Sequence, residues 1–219
     1  MTKGGAAKAG KFQTKNALLQ AAKELFANLG FDGVTVSAIC KRAGISGTQV
    51  HYHFRDKVHL YRSLLELCGE GEIARISKLL TPVESAVEFR LRLELFVTEY
   101  LVWHSRDELT FRILTFEYLR GMPIARDIFE KKFSILRQQL QHYLEAAKSA
   151  GLIRSDVDVE IVTSALFGAL NSLHDYMKFG KRASTVDDGE NVRIAKEFVN
   201  TVISGLRVES QEEHHGSSL

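Results

Sequence analysis

Between Thr35 and Asp56 the chain reads TVSAICKRAGISGTQVHYHFRD, and this stretch restricts the fold more than any other. Ile39, Ala43, Ile45, Val50 and Phe54 place apolar side chains at the spacing of two short helices that share one small core across a tight turn. Cys40 and Ala43 are small where the two helices must approach. Gly44 falls where the first helix should stop, because glycine reaches the left-handed conformation of a C′ position without steric cost. Ser46 fits an N-cap, and Gln49 three residues on completes a capping box for the second helix. The pattern is that of a helix-turn-helix; the alternative is an ordinary helical hairpin in a core.

Charge divides along the chain in the same place. From Met1 to Cys68 ten Lys or Arg face four Asp or Glu, a balance of +6, while the remainder holds 19 against 23, a balance of −4. A basic first third on a mildly acidic remainder suits a nucleic-acid-binding head attached to a body with another task. No run has the apolar length of a membrane span, and Met1 to Phe12 lacks the hydrophobic centre of a signal peptide, so the expectation is a cytoplasmic protein. Cys40 and Cys68 lack CxxC or Cys/His ligand spacing and read as reduced packing residues. His51, His53 and His59 do not share a helical face, so neither metal nor other cofactor is expected. With no GxSxG, HExxH, P-loop or GxGxxG, nothing supports an enzyme.

With 219 residues and only two prolines, the rest of the chain is free to be helical, and about nine helices in an all-α fold are expected. Leu18, Leu19, Ala22, Leu25, Phe26 and Leu29 predict a first helix that Gly30 and Gly33 end. Asp56 caps a fourth through Val58, Leu60, Leu64, Leu65 and Leu67, running toward Leu80 with a kink at Gly69 and Gly71. Further helices are placed near 83–105, 108–120, 124–150, 157–179 and 189–206. The domain reading is a helix-turn-helix domain at 12–58 and a larger helical domain at 59–208. Residues 1–11 and 209–219 are expected as disordered tails.

The segment ALLQAAKELFANLGFDGVTVSAICKRAGISGTQVHYHFRDKVHLYRSLLE resembles the DNA-binding domain of the TetR family of bacterial transcriptional regulators without a gap. At His51 the family more often carries tyrosine, which alters the expected base preference. More loosely, AGLIRSDVDVEIVTSALFGALNSL resembles the segment leading into the family's eighth helix. The resemblance implies a homodimeric regulator of double-stranded DNA, a repressor released from an inverted-repeat operator by a small effector. Two alternatives stand beside it: an effector-independent activator or nucleoid-associated factor of the same fold, and a helical enzyme that has kept a DNA-binding head.

A recognition helix turns its N-terminal residues toward base edges in the major groove. Thr48, Gln49, His51 and Tyr52 are the candidates here, Gln49 being able either to pair with adenine or to cap its own helix. Gly47 allows close approach of the helix start. For phosphate contacts the resemblance points to Thr35, Tyr52, His53 and Lys57, with Gly47 beside them, and hydroxyl, imidazole and ammonium groups near helix N-termini suit that role. Arg55 either joins them or is a solvated loop charge. Lys3, Lys8, Lys11 and Lys15 could follow the adjacent groove as an arm, although lysine without arginine is a thin minor-groove signal.

In the body, an apolar or aromatic effector would lie between helices, with few polar anchors. Candidates are Phe96, Tyr100, Trp103, His104, Phe111, Arg112, Phe116, Glu117, Asn171 and His174. A small-residue face of Ala165, Gly168, Ala169 and Ser172 and an apolar stripe of Phe198, Val199, Val202 and Ile203 are the expected dimer surfaces.

Overall fold

The computed structural model describes residues 3–180 and 188–206, with side chains at 10–173 and 188–206. All regular structure among them is helical, as expected. The side chain of His174, residues 181–187 of the polar loop, and the tail 209–219 lie outside the described residues. No helix in the described part is long and apolar enough to cross a membrane.

The chain forms two compact units, Met1–Ala74 with Arg106–Ile135 and Arg75–Ser105 with Leu136–Leu219, rather than contiguous blocks at 12–58 and 59–208. In the first unit, α1 (Lys3–Leu29), α2 (Val36–Ala43), α3 (Gly47–Phe54) and α4 (Lys57–Leu67) surround a core that includes Leu18, Phe26, Ile39, Val50, Leu60 and Tyr61. Because α7 (Glu108–Leu119) packs against α1 and contributes Ile113 to that core, it belongs to this unit and not to the body. Residues 3–11, expected in a tail, are helical: they extend an amphipathic helix already nucleated further on, and Ala and Lys are strong helix formers. Leu29, expected in the buried stripe, is exposed one residue before the chain turns away at Gly30.

At Gly33 a Cβ would come within 2.5 Å of the Leu29 carbonyl oxygen, so the α1–α2 connection requires glycine there. The fourth helix does not continue through a kink. It ends at Leu67, and Gly69 and Gly71 both take positive φ, 66° and 85°, before the short α5 (Glu72–Ser77). Two left-handed residues reverse the helical path, and glycine enters that region freely. Val58 and Leu67, placed on the apolar stripe of this helix from the sequence, are exposed, and Tyr61 is buried in their stead. The helix expected at 124–150 divides into α8 (Arg126–Ile128), a π-helical turn at Phe129–Phe133 and α9 (Ser134–Ser149).

The second unit is built from α6 (Ala86–Arg106), most of α9, α10 (Val159–Gly180) and α11 (Asp188–Leu206). Phe89 and Tyr143 stack at 5.3 Å, and the Tyr143 hydroxyl donates to the Phe89 carbonyl at 2.8 Å, so a buried polar group is satisfied inside the apolar core. Asn191, also buried, donates to the Ser105 hydroxyl at 3.2 Å.

Candidate DNA-reading surface

Thr35 takes the extended backbone of an N-cap, and its Oγ1 accepts from the Ala38 N–H at 3.1 Å. That bond uses an oxygen lone pair and leaves the hydroxyl proton to donate outward. At the other end of α2, Gly44 sits at φ 67°; its N–H reaches the Lys41 carbonyl and the Ile45 N–H reaches the Cys40 carbonyl, closing the helix in the left-handed manner expected. Ile39, Cys40, Val50 and Phe54 are buried and Ala43 and Ile45 partly so, which fixes α3 against α2.

The capping box does not form. Ser46 has N-cap backbone angles, but its hydroxyl pairs with the Thr48 hydroxyl at 2.9 Å and makes no cap to an α3 amide. The Gln49 side chain, exposed, is thereby released from the capping role. His51 is exposed too, and its Nδ1 lies 2.8 Å from the Arg55 carbonyl oxygen. A carbonyl only accepts, so Nδ1 carries the proton and Nε2 is left for an outside partner. Arg55 stops α3 at φ 71° and ψ −57°, a tight turn closed by the Asp56 N–H to Phe54 carbonyl bond at 2.8 Å and braced by the His51 contact.

The expected phosphate contacts separate. Tyr52 is 61% exposed at the surface of α3, with the Lys11 ammonium 5.1 Å from its ring centroid. His53 is turned partly inward, its Nε2 buried and unbonded among the described residues, so that nitrogen does not face a phosphate in this conformation. Lys57 reaches back across the α1–α2 connection: its ammonium donates to the Phe31 carbonyl at 3.0 Å and the Val34 carbonyl at 2.9 Å and lies 4.1 Å from the Phe31 ring centroid. One N–H remains for an outside acceptor. Next to it, Asp56 caps α4 through the His59 N–H at 2.9 Å, and the His59 amide and ring hold its carboxyl below the usual carboxylate range.

The candidate effector residues fall in different units. Phe111, Arg112, Phe116 and Glu117 are on α7 in the first unit; Phe96, Tyr100, Trp103, His104 and Asn171 are in the second. Arg112 is exposed and tied to Asn28 and Glu108, Phe116 is half exposed, and Glu117 is buried against Tyr61, so none of these three lines an apolar cavity. In the second unit the Tyr100 hydroxyl donates to Asn171 at 2.7 Å, and burial pushes that hydroxyl well above the usual tyrosine range. Phe167 joins the cluster at 5.7 Å from the Tyr100 ring. It is a half-buried aromatic the sequence reading passed over, although it lies on the same face as Leu170 and Asn171 by helical spacing. Nearby, Leu93, Phe96, Leu140, Leu166 and Val202 help line a narrow, wholly apolar cleft whose side chains leave no room for a water molecule.

Of the dimer candidates, Ala165, Gly168, Ala169 and Ser172 are exposed on α10, and a Cβ added at Gly168 would meet open space. On α11, however, Val199 and Ile203 are buried in their own unit and Phe198 and Val202 are half-buried, because the apolar stripe is used first to close the core. Among the described residues no group of His, Cys, Asp and Glu could hold a metal ion.

Residues 12–64 match the model of the bacterial regulatory proteins of the tetR family. The nucleoid occlusion factor SlmA of Vibrio atlanticus is 27% identical over 176 residues, 77% of this chain and 86% of that protein. The HTH-type transcriptional regulator UidR of Escherichia coli K12 is 24% identical, covering 70% of this chain and 76% of its own length. Among solved structures, the ketosteroid transcriptional regulator KstR2 of Mycobacterium tuberculosis superimposes with a TM-score of 0.70 at 20% identity, over 89% of this chain and 95% of that one.

Proposed function

Since this chain belongs through residues 12–64 to the tetR family of bacterial regulatory proteins, we propose that it works in the cytoplasm as a homodimeric repressor, without catalysis of its own. Residues 12–58 act as the DNA reader within the first unit, and the second unit supplies dimerisation and effector binding. The observation that carries this is the face of α3, where Gln49, His51 and Tyr52 are exposed together on a helix anchored by Val50 and Phe54. In the groove, Gln49 and His51 address base edges while Thr35 and Lys57 grip the backbone. A two-fold dimer through the small face of α10 places two such helices on successive major-groove faces, so the operator is an inverted repeat. An uncharged apolar effector in the cleft of the second unit shifts the population toward a state that no longer fits the operator.

A second reading rests on the cleft itself. It is nowhere wide enough for a water molecule, which suits a protein that binds DNA without an effector, and the relative SlmA is a nucleoid occlusion factor. Selection from a random duplex pool, followed by sequencing of the retained fragments, tests the shared part of both readings. Enrichment of an inverted repeat is expected, and no enrichment by a folded dimer removes both. Thermal shift against apolar metabolites, with and without the selected duplex, then separates them.

A further inference from the structure

The basic residues of the first unit differ in their partners. Lys23 pairs with Asp107 at 2.6 Å, Arg42 with Glu24 at 2.5 Å and Arg62 with Asp127 at 2.7 Å, so each of these cations already has a carboxylate partner. Lys11 and Lys15 have no acidic partner among the described residues. Each rests on an aromatic ring of the recognition helix instead, Lys11 at 5.1 Å from the Tyr52 centroid and Lys15 at 5.8 Å from that of Phe54. A ring face attracts an ammonium but accepts none of its N–H bonds in the ordinary sense, so both cations keep donors for another acceptor. Four residues apart on α1, they lie on one helical face, beside the exposed surface of α3.

We infer that Lys11 and Lys15 form a second phosphate-gripping edge, in which the N-terminal part of α1 carries the DNA-binding surface past the recognition helix onto the flanking backbone. This rests on the DNA-reading role assigned to α3. The partner is the phosphate backbone of duplex DNA, since uncompensated cations in a row match its spaced charges and nothing about the two ammonium groups selects a base. Tyr52 and Phe54 pre-position the two side chains, so less rotamer freedom is lost on binding than for lysines on a free tail.

The test is the salt dependence of binding between the full-length protein and a 30-base-pair duplex of mixed sequence. Two phosphate contacts contribute about 1.8 units to the slope of log affinity against log salt. Lys11→Gln with Lys15→Gln should therefore lose about tenfold less affinity than the unaltered protein between about 50 and 200 mM salt. Lys11→Gln alone, at an exposed position, should show about half the slope change and keeps the test open if the double variant folds poorly. Lys11→Arg with Lys15→Arg should keep the slope, as should Lys196→Gln on α11. An unchanged slope in the folded glutamine variants overturns the inference, and so does a slope lost equally in the arginine variant, which would mean that packing on the rings mattered and charge did not. If the unaltered protein binds no duplex at any salt concentration, the DNA-reading role itself fails.

Discussion

The Tyr61 hydroxyl donates to Glu117 Oε1 at 3.0 Å across the interface of α4 and α7, with both residues buried and Glu117 Oε2 left without a bond among the described residues. The carboxylate also raises the energy of a neighbouring phenolate, so burial and Glu117 together push the Tyr61 hydroxyl far above its usual range. Tyr61→Phe leaves the carboxylate with no donor at all and should destabilise the protein by about 1–3 kcal/mol. Adding Glu117→Leu should return part of that loss, because an apolar pair no longer buries an unsatisfied group. Urea unfolding of the two single variants and the double variant measures the coupling; additive effects would mean that the bond contributes nothing.

Lys57 is both a clamp and a cation near the start of α4. Lys57→Met keeps the aliphatic stem over Phe31 but removes two bonds to backbone carbonyls, a loss of about 1–2 kcal/mol of stability. Binding to all duplexes should weaken alike, and the salt slope should fall by about one unit through the remaining N–H. A lower melting temperature with an unaltered salt slope would assign Lys57 to the clamp alone.

For Gln49→Ala the structure removes the capping role, so helicity and melting should stay close to those of the unaltered protein. Discrimination should fall at one operator position by about 1–3 kcal/mol. Binding to a full set of single-base operator variants reads this directly, and an intact preference at every position would take Gln49 off the base-reading surface.

Acid should weaken the first unit through Asp127. The Arg62 guanidinium, making a bidentate pair with bonds of 2.8 and 2.7 Å, lowers this carboxyl to about 2 from an ordinary 3.8. A carboxyl depressed in the folded state stabilises it fully above the unfolded value, and the contribution fades as the pH drops from about 4 toward 2. Asp127→Asn should flatten the melting curve against pH in that window only. Equal acid sensitivity in both proteins would locate the loss at other carboxylates.

If an effector occupies the cleft of the second unit, it couples to DNA by a differential affinity of about 1–3 kcal/mol, and saturating operator must weaken effector binding by the same factor. Phe96→Ala, which removes a wall of the cleft, should change the effector response while operator affinity without effector stays nearly constant. Calorimetric titration with and without the selected duplex decides the matter, and equal affinity in both would favour the effector-free reading.

Local chemistry was legible in the chain itself. Gly44 at a left-handed helix end, Asp56 as a cap, and the shared core of Ile39, Val50 and Phe54 all follow from short-range sterics and spacing, so the reader and its exposed α3 face could be derived before any coordinates. The tertiary structure decided the partnerships, because hydrogen bonds between residues distant in sequence leave no periodic trace. Glu117 reads as a polar anchor on an apolar helix until α7 is seen packed on α1, where the carboxylate meets Tyr61. Val199 and Ile203 carry a stripe that suits either a partner or the chain's own core, and packing chose the core. Lys11 reads as part of a tail, since only the continuation of α1 to Lys3 brings its ammonium over Tyr52. Spacing along the sequence determines which face a residue occupies, while the neighbour across that face is set by how whole helices pack.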